Sequence, residues 1–222
     1  MSALYPTLVY FHLLLFVFWL GADLGVFILG QHFRRRSYSL PERLTILKLL
    51  VITDMGPRTA WALMVPSTLW LLKAGGHWDV PAWLLIGGSA LGLAWLALVW
   101  DAHAHDQTPR AKRDRAIENW LKYGLTGFYL TLGAKSLATG APLVETWLAW
   151  KALLFGVIFL AAIMIDVAFR PVGPLLMRLV ADGSSDATEQ PLRRTMDRTR
   201  LWVFAVYGLL VVTSYLGTVK PG

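Results

Sequence analysis

The sequence predicts an all-α membrane protein, a six-helix transmembrane bundle that forms one domain over residues 1–222. Three observations lead there. Hydrophobic residues make up 56% of the chain and mean hydropathy is positive, more than a soluble domain carries. Charged residues gather between long apolar runs instead of alternating with them. Lysine and arginine concentrate in alternate loops. Those loops also account for the net charge of +7, and no basic stripe on a soluble fold points to nucleic acid. The chain has no cysteine, which removes disulfides, thiolate metal sites and cysteine nucleophiles.

The first span covers about residues 4–30. It follows no basic n-region and contains no small-residue cleavage site, so it reads as a retained helix rather than a leader. The second covers about residues 50–73. Ser39 with Glu42 forms a capping-box pattern ahead of it, and Gly56-Pro57 interrupts its apolar run. Residues 60–72 alone are too short to cross a bilayer, which favours one long helix kinked at Gly56-Pro57. The remaining spans are expected at about 81–100, 121–138, 145–169 and 201–219. Trp78, Trp83, Trp100, Trp120, Trp147 and Trp202 sit near their ends, as interfacial anchors do. Residues 171–200, the longest connection, read as an exposed and partly flexible linker.

Orientation follows from the loops. Arg34, Arg35, Arg36, Arg43 and Lys48 lie after the first span, and Arg110, Lys112, Arg113 and Arg115 after the third. Arg170, Arg178, Arg193, Arg194, Arg198 and Arg200 follow the fifth. The even-numbered loops hold only Lys73. The positive-inside rule therefore places both termini outside a cell membrane, in keeping with a bacterial inner membrane.

Polar residues inside apolar spans are costly, and the default reading of them is functional. His12, Phe16, Trp19 and Asp23 fall at i, i+4, i+7 and i+11, on one face of the first helix. Lys151 is similarly deep in the fifth span. His12 lies about 12 Å, and Lys151 about 9 Å, from the outer ends of their helices, so they can meet at one level. Lys135 could join them, or snorkel to the interface or pair with Glu145. A neutral imidazole among Phe11, Phe16, Phe18 and Trp19 suits an axial haem ligand. Gly21 and Gly25 would let a flat cofactor or a neighbouring helix approach. The buried lysine suits a porphyrin propionate or a proton transfer. Met64 is a weak candidate for a second axial ligand. Asp23, about 16 Å further along the helix than His12, belongs with an inner polar set. That set includes Asp54 and Arg58, spaced as a helix salt bridge, and Asp166. Asp101-Ala102-His103-Ala104-His105-Asp106 offers metal-ligand types if the chain is extended there, and is otherwise a polar exit from a span. His32 and His77 read as loop residues without a role.

Several of these motifs resemble the HemJ-type integral-membrane, haem-containing protoporphyrinogen oxidases. The stretch HLLLFVFWLGADLGVFILGQH is similar to that family's opening helix, through His12, Trp19, Gly21 and His32. ETWLAWKALLFGVI resembles its Trp-Leu-x-x-Lys helix through Trp147, Leu148 and Lys151, and Lys220-Pro221 resembles its ending. The resemblance implies haem b, His12 as the iron ligand with Trp19 beside the cofactor, and Lys151 as the second essential residue. It also implies oxidation of protoporphyrinogen IX with an unidentified electron acceptor. That family has four spans, so residues 81–138 read as an extra hairpin. The first helix also resembles CopD-type copper-resistance membrane domains. Copper or metal handling is therefore one alternative, and a non-catalytic subunit or transporter, alone or as a homo-oligomer, is another.

Overall fold

The computed structural model describes residues 3–221, and it is all-helical, with no strand among them. Seven helices follow in order: α1 (Leu4–Phe33), α2 (Leu40–Ala74), α3 (Ala82–Ala104), α4 (Pro109–Thr139), α5 (Thr146–Phe169), α6 (Val172–Asp182) and α7 (Asp186–Val219). Among the described residues, four stretches are long and apolar enough to cross a membrane: Leu4–Phe33, Ala82–Ala104, Thr146–Asp182 and Asp186–Val219. Only 17% of the most apolar stretch of α1 is buried within the chain. Its outer face carries Tyr10, Phe11, Val17, Phe18, Leu24 and Ile28. A row of large apolar side chains facing away from the protein is what a lipid-facing helix presents. α2 and α4 are equally long but carry more charge.

α5 is the centre of the bundle. It packs on α4 and α7, while its Phe155 reaches Trp19 of α1 and its Phe159 reaches Trp61 of α2 and Trp95 of α3. α1 packs along α2, α2 on α3 and α3 on α4. α7 closes back towards α1, where Phe27 meets Phe204 and the Tyr207 hydroxyl donates to the Asp23 carbonyl at 2.9 Å. One aromatic core, holding Trp19, Trp61, Trp95, Tyr129 and Phe159, is shared among these helices.

Local signals in the chain explain most boundaries. The Ser39 amide and hydroxyl both donate to Glu42 at 2.7 Å, so the capping box starts α2. α2 then runs through Pro57 and Pro66 as one helix, as its apolar length requires. Thr108 caps α4 by accepting from the Ala111 amide, and the helix begins at Pro109 rather than near residue 121. The polar first turns are helical as well as the apolar remainder.

The connection over residues 171–200 is also more ordered than its polarity suggests. Ser185 and Thr188 form a second capping box, and α7 starts at Asp186. Beside it the Arg43 guanidinium pairs with Glu189 at 2.6 Å, both fully buried. Burial pushes the Glu189 carboxyl up, but hydrogen bonds from Arg43 and Ser184 outweigh it and hold the group below its usual range. Phe33, Val172, Leu179, Leu192 and Met196 pack around this pair as a separate apolar cluster. A flexible linker would leave that ion pair unmade.

The close approach of helices is not where the Gly21-x-x-x-Gly25 pattern puts it. A Cβ on Gly21 would meet nothing within 4 Å, and one on Gly25 would make ordinary contact with Thr53 at 3.6 Å. Tight crossings lie instead at α2 on α3, where a Cβ on Gly92 would come within 2.7 Å of Pro66, and at α4 on α5. There a Cβ on Gly133 would strike the Leu153 backbone, and one on Gly156 would come within 2.8 Å of the Leu130 amide nitrogen. Gly133→Ala and Gly156→Ala are each expected to destabilise the detergent-solubilised protein by about 1–3 kcal/mol, because backbone cannot yield as a side chain can. Gly21→Ala should leave the thermal midpoint unchanged; equal midpoints for all three variants would contradict the tight crossing.

Candidate functional site

α1, α2, α4, α5 and α7 enclose a cavity of about 410 Å³. Three residues singled out in the sequence line it together: His12, Trp19 and Lys151. Met64, Tyr129 and Phe155 share the wall, which is largely apolar and aromatic. Trp19 stacks on Trp61 with ring centroids 5.6 Å apart and meets Phe155 edge-on at 6.3 Å. Its ring is therefore fixed as part of the wall.

His12 is held by a partner that sequence reasoning did not find. Its Nδ1 lies 3.0 Å from the Ser67 hydroxyl, and that hydroxyl donates to the Met64 carbonyl at 2.9 Å. A serine hydroxyl has one hydrogen, and the carbonyl can only accept. With the hydroxyl hydrogen placed on that carbonyl, the imidazole is the donor and its proton sits on Nδ1. Nε2 keeps its lone pair and has no protein partner among the described residues, on a side chain that faces the cavity. This is the tautomer and orientation that a metal-ligating histidine needs.

Lys151 makes no ion pair among the described residues, and its Nζ lies against Gly217 of α7. Lys220 lines the same cavity, with its Nζ 5.5 Å from the centre of the Trp147 ring. Glu145, at the start of α5, binds His77 at 2.7 Å instead. His77, which reads as a plain loop residue, thus lines the cavity and meets Trp147 edge-on at 5.6 Å. Lys135 is exposed near the end of α4 and lines no part of the cavity, so it joins neither His12 and Lys151 nor Glu145, and its exposure is that of a lysine reaching for the interface.

Asp23 does not line the cavity; it lies beyond the aromatic wall, as its depth suggested. The inner polar set is larger than expected. Asp54 pairs with Arg58 at 2.5 Å, and Arg58 reaches Glu118 at 3.9 Å. Glu118 pairs with Lys122 and Lys122 with Asp166, each at 3.0 Å, while the Trp95 indole donates to Glu118 at 3.3 Å. Lys122 and Glu118 are buried, and the chain of charges links α2, α4 and α5. The i, i+4 spacing of Glu118 and Lys122 was the available signal.

The Asp101-to-Asp106 segment forms no metal site. It is the last turn of α3, helical to Ala104, and the turn that follows, where Asp101 binds Arg110 at 2.5 Å and Asp106 binds Arg115 at 2.5 Å. The Arg115 guanidinium holds the Asp106 carboxyl below its usual range. The acids are spent on stapling α3 to α4, and no cluster of three His, Asp or Glu able to hold a metal ion exists among the described residues.

Comparisons with protein-family models, with curated proteins and with solved structures give no match to this chain.

Proposed function

We propose that the chain is a six-span bacterial inner-membrane protein, with both termini outside, that holds haem b in this cavity and serves a redox reaction. His12 would ligate iron through Nε2, Trp19 would flank the ring, and Lys151 with Lys220 would receive carboxylates. The observation that carries the proposal is the Met64–Ser67–His12 relay, which leaves Nε2 as a free acceptor inside an apolar, aromatic cavity. Two cations without carboxylate partners among the described residues, beside that cavity, fit an amphiphilic ligand with anionic substituents. Haem when bound supplies one-electron chemistry. The protein's part is to fix the imidazole, to exclude water with the aromatic wall, and to offer Lys151 as a charge or proton partner on the cavity wall.

The narrower reading is oxidation of protoporphyrinogen IX with a separate electron acceptor. It rests on the motifs around His12 and Lys151 and on the terminal Lys220-Pro221.

An absorption spectrum of the purified protein, as isolated and after dithionite, tests the haem reading. A Soret band that shifts on reduction is expected. Colourless protein from cells supplied with haem would overturn it, and copper retained after dialysis would favour the metal-handling alternative. Ser67→Ala is expected to keep the band but to release haem to an acceptor protein about tenfold faster or more, because the imidazole loses its orienting partner. Release at an unchanged rate would remove the relay from the argument.

A further inference from the structure

A second concavity, of about 460 Å³, lies at the other end of α1 and is lined by Gln31, Arg34, Arg35, Arg36, Arg193 and Arg200. Guanidiniums repel one another, and an ordinary solvated loop spreads them apart. Here five are gathered from two distant parts of the chain. Two carboxylates hold them there: Asp197 binds Arg34 at 2.7 Å and Arg200 at 3.5 Å, and Asp186 binds Arg36 at 2.7 Å. Arg34 is further fixed by Gln31, and Arg36 by the Ser185 carbonyl at 3.1 Å. Arg35 and Arg193 have no acidic partner among the described residues, so the concavity keeps an excess of positive charge. Hydrogen bonds from Arg34 and the charges of Arg34, Arg200 and Arg193 hold the Asp197 carboxyl well below its usual range, so it stays ionised.

Its depth is as informative as its charge. α1 ends at Phe33, just before the first of these arginines, and in α7 the polar residues 186–200 give way to the apolar residues 201–219. The arginines therefore ring the level at which an apolar bundle surface stops. Phosphate groups of a bilayer lie at that level, and a pre-oriented arginine fork matches phosphate oxygens in pairs.

We propose that this concavity is a binding site for the phosphate-bearing headgroup of an anionic phospholipid in the inner leaflet, with Arg35 and Arg193 as the residues free to engage it. The proposal rests on the membrane-spanning reading of α1 and α7 but not on haem. Recovery of the full-length protein in the soluble fraction, without detergent, would defeat the spanning reading by itself and be seen before any lipid is added.

The test is titration of the full-length protein in neutral detergent with phosphatidylglycerol, phosphatidylcholine or inorganic phosphate, with bound lipid counted by native mass spectrometry. Phosphatidylglycerol is expected to saturate one site at least tenfold more tightly than phosphatidylcholine. The double variant R35A/R193A should lose that preference while keeping its helical circular dichroism. R194A/R198A removes the same charge from exposed positions outside the concavity and should keep the preference. Equal losses in both double variants would reduce the effect to net charge and overturn a defined site. Equal affinity for the two lipids would overturn it as well. Inorganic phosphate that displaces phosphatidylglycerol only at far higher concentration supports the lipid as the source, whereas tighter binding of the free ion would overturn the lipid assignment.

Discussion

Substituting alanine for His12 is expected to abolish the Soret band of the purified protein while the protein still folds. His12 is half-buried at the cavity wall, and its one partner through the ring among the described residues is Ser67. Ser67 can turn to the Met64 carbonyl alone, so truncating the imidazole strands no buried charge. The loss falls on the ligand. A missing iron ligand should exceed the roughly 10–100-fold penalty of a missing outer-shell partner. Lys151→Ala should differ in kind: it removes a cation from the cavity wall and not the iron ligand, so the band should persist with faster haem release. Spectra and release rates for wild type, His12→Ala and Lys151→Ala separate these outcomes. A Soret band of full intensity in His12→Ala would move the ligand elsewhere and end the present assignment.

The largest effect on stability is expected for Lys122→Met. The Lys122 ammonium stands between Glu118 and Asp166 at 3.0 Å from each, and its side chain is 3% exposed. Methionine would fill a similar space but leave two carboxylates facing each other without their shared cation. Removing one member of a buried ion pair typically destabilises by about 3–5 kcal/mol, or roughly 10 °C in the thermal midpoint of a chain this size. Lys112→Met, at an exposed position of the same helix, should move the midpoint little. Because Lys122 does not line the cavity, the spectrum of any bound haem should survive the substitution. An unchanged midpoint would mean that water, not Lys122, compensates Glu118 and Asp166.

How much of this was legible in the sequence depended on whether a residue announces itself alone. His12, Trp19 and Lys151 did, because polar or bulky groups inside an apolar run must be explained wherever they sit. The structure brings all three to one cavity. Ser67 did not, since a serine in a helix is unremarkable until a neighbouring helix brings an imidazole to it. His77 and Glu145 were opaque for the same reason, lying in separate connections that meet only after folding. The starts of α4 at Pro109 and α7 at Asp186 lie ahead of the spans expected from 121 and 201, because hydropathy reports where lipid could lie, whereas caps and ion pairs decide where a helix begins. The capping box at Ser39 was readable because all of its parts are local.

The chain of charges through α2, α4 and α5 bears on how the protein is made. If α4 crosses the bilayer from about residue 121, as proposed, it carries Lys122 into the inner edge with Glu118 just before it, and α2 carries Asp54 and Arg58. Neither segment is apolar enough to partition into lipid readily by itself. Asp166, which completes the balance around Lys122, is synthesised later, near the end of α5. Stable insertion of α4 therefore has to wait for α5, and the middle of the chain would leave the insertion machinery as a group rather than one helix at a time.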